Sequence, residues 1–453
     1  MNDLFKKKYP EFEVFDSSIR KQGEKYYFVA RRKGKYYLVT GNHTFNFIEK
    51  EAAAKIIRDV FPFFNPVCSG LKNSFGFGDR TGFATPGHIM AVKKSSFFPI
   101  FAQQSARELE RMSRSFQQVI DDAIFWCFTF GWSGPFGADA DHAKSFNVLE
   151  EAINAGFSFF TIDPSDKIGK IEESEENKDQ LVTYLKEYSG KKFSFDGFEI
   201  LFTDEVVGNL AIIFGKAIDF VQDCYLFIRD KKKNFDFEVS IDETKLPTTP
   251  VAHVFIVLEL IRRKINFQSL ALRLPGKFEK GIDYKGDIKQ FAQEIEIHNS
   301  IRRKLGPYKI SLHSGSDKFS IYKIFREIFG DMIHVKTSGT SWIQAMKTIA
   351  VLDRDLFVRC IEIGLRDFRE NSASYEISAD VSNVCLEKVR NENIVELFAN
   401  NNIRQLIHIS YGSIIGNKDP ELKDAVYLAL GRNLELYTQF VEQHISKHLK
   451  LLS

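Results

Sequence analysis

The sequence has little of what marks several large classes of protein. Its 453 residues include five cysteines without C-x-x-C spacing, a usage typical of buried thiols in a reducing compartment rather than of a disulfide scaffold or a cysteine metal cluster. The first residues lack the apolar run of a signal peptide, and no window of about 18 apolar residues predicts a transmembrane helix. We therefore expect a cytoplasmic protein without a membrane partner.

Two further absences concern nucleic acids and dinucleotides. Lysine and arginine number 62 and aspartate and glutamate 60, interspersed to a net charge of +2, so the chain lacks the basic surface typical of nucleic-acid binding. The glycines of GFGDRTG (76–82) have the spacing G-x-G-x-x-x-G, and no acidic residue follows at the distance typical of a dinucleotide-binding βαβ unit. The sequence thus predicts neither a nucleic-acid partner nor a nicotinamide cofactor.

From about residue 72 the sequence alternates between short apolar runs and helical patterns. The eight strand-like runs are FGFGD (75–79), PIFAQQS (99–105), GPFGADADH (134–142), FSFFTIDPSD (157–166), FDFEVSIDET (235–244), SLALRLPGKF (269–278), YKISLHSG (308–315) and MIHVKTSG (332–339). Eight successive β–α units predict an α/β protein built on a closed TIM-like (β/α)8 barrel.

Composition and periodicity divide the chain into three regions. Residues 1–70 predict a small N-terminal α+β region with a β-hairpin, and residues 71–345 predict the catalytic barrel, with a polar insert at 168–193. Residues 346–453 predict a helical C-terminal extension. Within it, LIHISYGSII (406–415) fits either a ninth strand or a helix.

Polar and ionisable side chains follow the last residue of every predicted strand. In a parallel barrel these ends meet at one face, where active sites lie. His142, His313 and His334 occupy such ends and predict a divalent-metal site, with Asp163 as a further ligand, because imidazoles and carboxylates suit such ions. Zinc, manganese, nickel and cobalt are not distinguished. Other carboxylates available as oxygen ligands or acid–base groups are Asp141, Asp242, Glu243 and Glu279.

Lysines support a competing interpretation. Lys144, Lys280, Lys318 and Lys336 also follow strand ends. Together with Arg80 they provide positive charge for an anionic substrate, or one of them, desolvated in the barrel, forms a Schiff base with a carbonyl. Several cations around one opening favour anion binding over a single nucleophile.

The turn HSGSDK (313–318) has five ionisable or hydroxyl side chains within six residues. We expect His313 to be a metal ligand delivered by the seventh strand and Gly315 to let the backbone turn sharply. Asp317 and Lys318 are then expected to face the substrate.

Six of these turns together resemble the tagaturonate epimerase family of bacterial hexuronate catabolism. The resemblance runs from about residue 70 to the C-terminus and rests on GFGDRTGFATPGH (76–88), GADADHAKS (137–145), SIDETKLPTTPVAH (240–253), FEKGIDYKGD (278–287), HSGSDKFSIYKI (313–324) and HVKTSGTSW (334–342). It implies an isomerase that interconverts D-tagaturonate and D-fructuronate with a metal, and whose relatives also act on tagatose and fructose.

The implied reaction restricts the chemistry. The inverted carbon lies one carbon beyond the neighbour of the ketone, so simple enolisation does not acidify its hydrogen. Two routes remain. In the first, retro-aldol cleavage is followed by rotation of the aldehyde fragment and aldol re-addition on its other face. In the second, the alcohol is transiently oxidised by a nicotinamide cofactor, which the missing dinucleotide fingerprint disfavours. We therefore predict retro-aldol/aldol or proton-transfer chemistry, with the metal as Lewis acid.

Roles for individual side chains follow from this chemistry. Asp79 and Glu243 are the predicted acid–base pair. The side chains predicted to bind the substrate are Arg80, Gln103, Gln104, Lys144, Glu279 and Lys336. Two alternatives remain open, a Schiff-base aldolase with Lys280 or Lys336 as nucleophile and a non-catalytic sugar-acid binding protein. A homo-oligomer is compatible with the sequence.

Overall fold

The computed structural model describes residues 2–169 and 178–453. The strands in these ranges are β1 (Glu13–Gln22), β2 (Lys25–Arg32), β3 (Lys35–Gly41), β4 (Phe45–Glu49), β5 (Ser74–Phe77), β6 (Phe98–Ser105), β7 (Gly137–Ala143), β8 (Phe159–Ile162), β9 (Lys192–Phe195), β10 (Phe198–Leu201), β11 (Asp236–Ile241), β12 (Ser269–Leu272), β13 (Lys309–Leu312) and β14 (Ile333–Thr337).

The α-helices of the same ranges are α1 (Asn2–Lys8), α2 (Lys50–Val60), α3 (Thr85–Val92), α4 (Ala106–Met112), α5 (Phe116–Thr129), α6 (Phe146–Ala155), α7 (Lys178–Tyr188), α8 (Asp204–Lys231), α9 (Pro250–Arg262), α10 (Ile288–Leu305), α11 (Phe319–Phe329), α12 (Thr340–Leu352), α13 (Arg354–Arg366), α14 (Phe368–Ser372), α15 (Leu386–Asn391), α16 (Ile394–Ala399), α17 (Asn401–Ile409), α18 (Tyr411–Ile415), α19 (Pro420–Arg432) and α20 (Leu434–Leu451). Within the described ranges, no helix combines the length and apolarity needed to cross a membrane.

Eight strands close into a parallel barrel in chain order, β5 to β8 followed by β11 to β14, and β14 pairs with β5. Each of the eight predicted runs overlaps one of these strands, so the (β/α)8 prediction is confirmed. The strand residues are buried almost throughout, because helices cover the outer face of such a barrel and side chains fill its interior.

The N-terminal region is a separate antiparallel sheet, β1 to β4. The predicted hairpin is confirmed: β2 pairs with β3 across the Lys33–Gly34 turn. Phe5 of α1 packs edge-on against Phe28 and Phe45, with ring centroids 4.9 and 5.1 Å apart. The borders drawn at residues 70 and 345 stay predictions.

The insert and the C-terminal extension complete the chain. Residues 170–177 of the predicted insert 168–193 lie outside the described residues, and the rest contains α7 and the first strand of the β9–β10 hairpin. Residues 406–409 and 411–415 are helical, within α17 and α18, which settles the alternative of a ninth strand. The last helix, α20, packs against α3 and α12 on the outside of the barrel.

Candidate active site

A cavity of about 340 Å³ lies at the carboxyl ends of the barrel strands, a volume within the range of small-molecule sites. The turns after β5, β6, β7, β11, β12, β13 and β14 line it, and the C-terminal extension adds Ser374, Tyr375 and Glu376. The lining is rich in charged and polar side chains, so the cavity suits a small polar molecule.

Two histidines meet in this cavity. His142, near the end of β7, and His313, directly after β13, place their ring centroids 4.8 Å apart. Asp242 Oδ1 lies between them, 3.2 Å from His313 Nδ1 and 3.5 Å from His142 Nε2, and Asp141 Oδ1 lies 2.9 Å from His142 Nδ1. Donor atoms of Asp141, His142 and His313 lie within 4.8 Å of one another, an arrangement that could hold a divalent cation.

A buried carboxylate orients one of these imidazoles. Glu238 on β11 is fully buried, and its Oε1 accepts a hydrogen bond from His313 Nε2 at 2.6 Å. That contact leaves His313 Nδ1 facing the cavity, buried and without a hydrogen bond of acceptable geometry. A carboxylate behind a histidine in this way is the usual support of a metal-ligating imidazole.

Lys336 on β14 joins three carboxylates in the barrel interior. Its Nζ lies 2.7 Å from Asp139 Oδ2, 2.8 Å from Asp141 Oδ1 and 2.9 Å from Glu238 Oε1. Burial alone would lower the pKa of Lys336, but the three carboxylates outweigh it and raise that pKa well above its ordinary value. Lys336 is therefore held as a cation and is a poor nucleophile.

The histidine pair is surrounded by excess negative charge. Burial opposes protonation of His313, but Asp242 and Glu238 outweigh it and raise its pKa to about 9. For His142, Asp141 and Asp242 likewise outweigh burial and raise the pKa well above its ordinary value. Carboxylates in this number around two imidazoles call for positive charge between them, which imidazolium protons or a divalent cation can supply.

Half of the twelve side chains predicted for the site line the cavity. These six are Arg80, Gln103, His142, Glu243, His313 and Lys336. Arg80 is nonetheless occupied, because its Nη2 lies 2.5 Å from Glu108 Oε1, its Nη1 donates to the backbone oxygen of His408, and its guanidinium stacks on Tyr411. His408, whose role the sequence left open, thus approaches the site through its carbonyl.

Asp79, which was predicted to be catalytic, is bonded to the backbone of its own turn. Its two carboxylate oxygens accept hydrogen bonds from the backbone amides of Thr81, Gly82, Ala84 and Thr85. Burial alone would raise the pKa of Asp79, but nearby positive charge and these amides outweigh it and lower the pKa. The carboxylate shapes the turn after β5 and lies outside the cavity lining.

His334 is not brought together with the other two predicted ligands. It lies inside the barrel with its Nδ1 2.9 Å from Ser74 Oγ and its ring against Phe159. Burial lowers its pKa well below the ordinary value. His334 is kept from the cavity by its position along β14. It pairs with Ser74 at the start of β5, whereas Lys336, two residues later on the same strand, reaches the level of the cavity.

The other four predicted side chains lie around the cavity. Lys144 and Asp163 form an ion pair at the rim (3.3 Å), beside Glu243, and donor atoms of His142, Asp163 and Glu243 also lie within 4.8 Å of one another. The predicted substrate groups Gln104 and Glu279 are both engaged elsewhere. Gln104 accepts from Arg114, and Glu279 accepts from Gln405, Ser378 and Lys285.

Asp317 and Lys318, which were predicted to face the substrate, are not among the side chains that line the cavity. Lys318 Nζ donates to the backbone oxygens of Glu279, Ile282 and Ser316, and burial lowers its pKa to about 7. Gly315 has no positive φ; a Cβ there would lie 3.0 Å from the Lys336 carbonyl oxygen. The residues of this turn with a left-handed backbone are Ser314 and Asp317. Gly315 is therefore required by the close packing around it rather than by its backbone angle.

Asp317 belongs to a second cluster of potential donors with His444 and His448 of α20. Its carboxylate oxygens contact His444 Nε2 at 2.6 Å and Arg404 Nη2 at 3.1 Å. His448 Nε2 accepts from the Asp317 amide, and its Nδ1 donates to the His444 carbonyl. Since these atoms are satisfied within the chain, the cluster fastens α20 to the turn after β13.

Several residues that line the cavity or lie directly behind it were not predicted. Glu238 could have been identified from the sequence. Polar Asp236, Glu238 and Ser240 alternate with apolar residues in β11 and therefore share the interior face of the barrel. No pattern in the sequence indicated Arg107 or Tyr375. Arg107 lies in the first turn of α4, and Tyr375 reaches the cavity from a loop more than 200 residues distant in sequence from that helix.

Functional residues of (β/α)8 barrels converge at the strand ends, and this cavity gathers acids, imidazoles and cations there, as in an enzyme that acts on small polar substrates.

The sequence model of the tagaturonate epimerase family matches residues 15–452. A tagaturonate/fructuronate epimerase of Thermotoga maritima is 43% identical over 97% of each chain. The native crystal structure of fructuronate-tagaturonate epimerase from Cohnella laeviribosi has a TM-score of 0.91 and 31% identity, covering 100% of this chain and 98% of that one.

A glycerol complex of the same Cohnella enzyme matches over 100% of both chains, with a TM-score of 0.90 and 30% identity. The chain belongs to the tagaturonate epimerase family and is an enzyme of the isomerase class. Family membership removes the alternative of a non-catalytic binding protein.

Proposed function

We propose that the chain interconverts D-tagaturonate and D-fructuronate with one divalent cation held at the histidine pair. The family and the two named relatives support the substrates. The observation that carries the metal is His313 Nδ1, which is buried, is aimed into the cavity by Glu238, and lies beside Asp242 (3.2 Å) and the His142 ring. Without a metal, the surrounding carboxylates favour protonation of both imidazoles, and a divalent cation would supply the positive charge between the same groups in place of those protons.

His142 and His313 would hold the cation, with Asp141 or Asp242 supplying an oxygen ligand. When bound, a divalent cation supplies Lewis-acid stabilisation of negative charge developing on the substrate oxygens. Glu238 keeps the His313 ring in place from behind, and Lys336 holds Asp141 by its ion pair. This set contains two of the three predicted histidine ligands.

Glu243 is the group we propose to take the hydroxyl proton of the inverted carbon. It lines the cavity beside Arg107 and Lys144, at 3.4 and 3.2 Å. Burial alone would raise its pKa, but His142, Arg107 and Lys144 outweigh it and lower the pKa. Glu243 is therefore ionised near neutral pH and available as a base.

In the retro-aldol route, the bond between the inverted carbon and its neighbour toward the ketone breaks. Its electron pair passes to the ketone fragment as an enediolate, while the hydroxyl proton goes to the base and the inverted carbon becomes an aldehyde. Rotation of the aldehyde and re-addition reverse these changes on the opposite face, so no oxidant or reductant is consumed.

Turnover of tagaturonate, followed by product analysis before and after chelation and with divalent-metal add-back, tests the proposal. Fructuronate formation that is lost and restored supports it, and absence of turnover in metal-loaded protein contradicts it. The same reaction in D₂O separates the two routes: retro-aldol chemistry keeps the original hydrogen on the inverted carbon, whereas proton transfer introduces deuterium there.

A Schiff-base route to the same epimerisation, in which a lysine amine activates the ketone, is the second candidate because of one lysine. Burial and repulsion from Arg107 lower the pKa of Lys280, which lines the cavity, and a lowered pKa favours the nucleophilic amine. Lys336, the other predicted nucleophile, is held protonated by its carboxylates. Borohydride inactivation that depends on substrate would favour this candidate.

A further inference from the structure

Among the described residues, five lysine and arginine side chains line the cavity, and one of them differs from the rest. Four lie against carboxylates of the chain, in the groups Arg80–Glu108, Arg107–Glu243, Arg273–Glu376 and Lys336 with Asp139, Asp141 and Glu238. The fifth is Lys280, in the turn after β12. Among the described residues, no carboxylate forms an ion pair with its Nζ, and Asp242, Glu108 and Glu243 act on its charge only from a longer distance.

The surroundings of Lys280 are those of a cation that lacks its counter-ion. Its Nζ donates one hydrogen bond, to Ser314 Oγ at 2.6 Å, and lies 5.9 Å from the centroid of the Tyr375 ring. An ammonium group has three N–H donors, so others are available to a ligand. Desolvating a cation without an opposite charge is costly, and an anion arriving here would remove that cost.

The position of Lys280 also places such an anion beside the candidate metal ligands. Ser314, its hydrogen-bond partner, directly follows His313. Arg107 is close enough to repel Lys280, and the Tyr375 ring also faces Arg107, 5.4 Å from its guanidinium. Lys280 and Arg107 therefore place two cations beside Tyr375, of which Arg107 is paired with Glu243, whereas Asp141 and Asp242 lie around the histidines.

We propose that Lys280 binds the carboxylate of the uronate substrate and retains the carboxylate-bearing fragment in the cavity during epimerisation. This inference rests on the proposed function. In the retro-aldol route the aldehyde fragment carries the carboxylate, because the carboxyl carbon lies on the far side of the broken bond from the ketone. One ion pair at that end lets the aldehyde rotate while the fragment stays bound.

Three variants isolate this role. Lys280→Met removes the charge, Lys280→Arg keeps it, and Lys277→Met makes the same change on the exposed part of the same loop, outside the cavity. Binding of tagaturonate and of neutral D-tagatose is measured by calorimetry on the metal-loaded protein, and free aldehyde fragment is measured during turnover. Thermal melting shows which variants remain folded.

We expect Lys280→Met to weaken tagaturonate binding about 100-fold, the range of a lost charged hydrogen bond, with D-tagatose binding unchanged. Turnover by this variant releases free fragments that the wild type retains. Lys280→Arg recovers most of the affinity, and Lys277→Met behaves as the wild type.

Unchanged tagaturonate binding by Lys280→Met overturns the inference, as does an equal loss for both sugars, which indicates a structural role. Substrate-dependent borohydride labelling of Lys280 also overturns it, in favour of the nucleophile. Because binding is measured directly, a protein without turnover but with Lys280-dependent tagaturonate binding contradicts the proposed function alone and leaves the anion site standing.

Discussion

Glu238→Gln tests the candidate metal site at its least obvious residue. Glu238 Oε1 accepts from His313 Nε2 (2.6 Å) and lies 2.9 Å from Lys336 Nζ, while Oε2 accepts from Ser269 Oγ. Glutamine has the same shape, so its amide oxygen can keep the His313 contact while its amide nitrogen faces the serine hydroxyl, which can also accept. The substitution therefore removes charge with little change in packing.

The expected magnitude follows from the role of that charge. Loss of a carboxylate behind a ligating histidine typically weakens metal binding about 10- to 100-fold, which corresponds to about 1.4–2.7 kcal/mol at 1.36 kcal/mol per tenfold change. We expect this weakening in Glu238→Gln, with a matching rise in the metal concentration needed for half-maximal activity.

The assay titrates chelator-stripped protein with a divalent cation, by calorimetry and by activity. Glu259→Gln is the matched control: its carboxylate is equally buried but lies on α9 outside the barrel, bonded to Arg262, Arg263 and Tyr188. The control should lose stability and keep its metal affinity. A folded Glu238→Gln protein with wild-type metal affinity would refute the reasoning.

Three further predictions concern residues whose roles the structure separates. Asp79→Ala leaves several buried amides without an acceptor and should lower the free energy of unfolding by about 2–4 kcal/mol in urea titration, and a loss of activity in a protein of unchanged stability would contradict this. His334→Gln should keep its metal affinity in calorimetry, whereas His313→Gln should lose at least about tenfold; equal losses would restore His334 as a ligand. The pKa of Asp317 is held well below its ordinary value, because His444 and Arg404 outweigh burial. Its ion pairs therefore stabilise the fold above the unfolded pKa of about 3.9 and are lost as pH falls through the folded pKa, so Asp317→Asn should destabilise the protein at pH 7 and show a smaller further loss at acid pH; equal acid dependence in both proteins would contradict this.

The barrel could be predicted from the sequence because its signal is local. Each strand is a short apolar run bounded by turn residues, and eight such runs alternate with helices, which leaves few topologies. The position of the site followed from the same count, since strand ends share one face of a parallel barrel. His142, His313 and Glu243, which line the cavity, were singled out in this way and stay predictions as site residues.

The remaining roles depend on register and on distant contacts. His334 and Lys336 stand two residues apart on one strand, yet one lies inside the barrel and the other reaches the cavity. Asp79 looked catalytic because it ends a strand, but the following amides fold back onto its oxygens. No local pattern reports that Tyr375 covers Lys280.

The most direct test of the central claim is the anomalous diffraction of crystals soaked with a divalent transition metal. The account predicts one strong anomalous peak in contact with His313 Nδ1 and a ring nitrogen of His142, with Asp141 or Asp242 alongside. A peak at the Asp317, His444 and His448 cluster instead, or none at the histidine pair of an active protein, would contradict it.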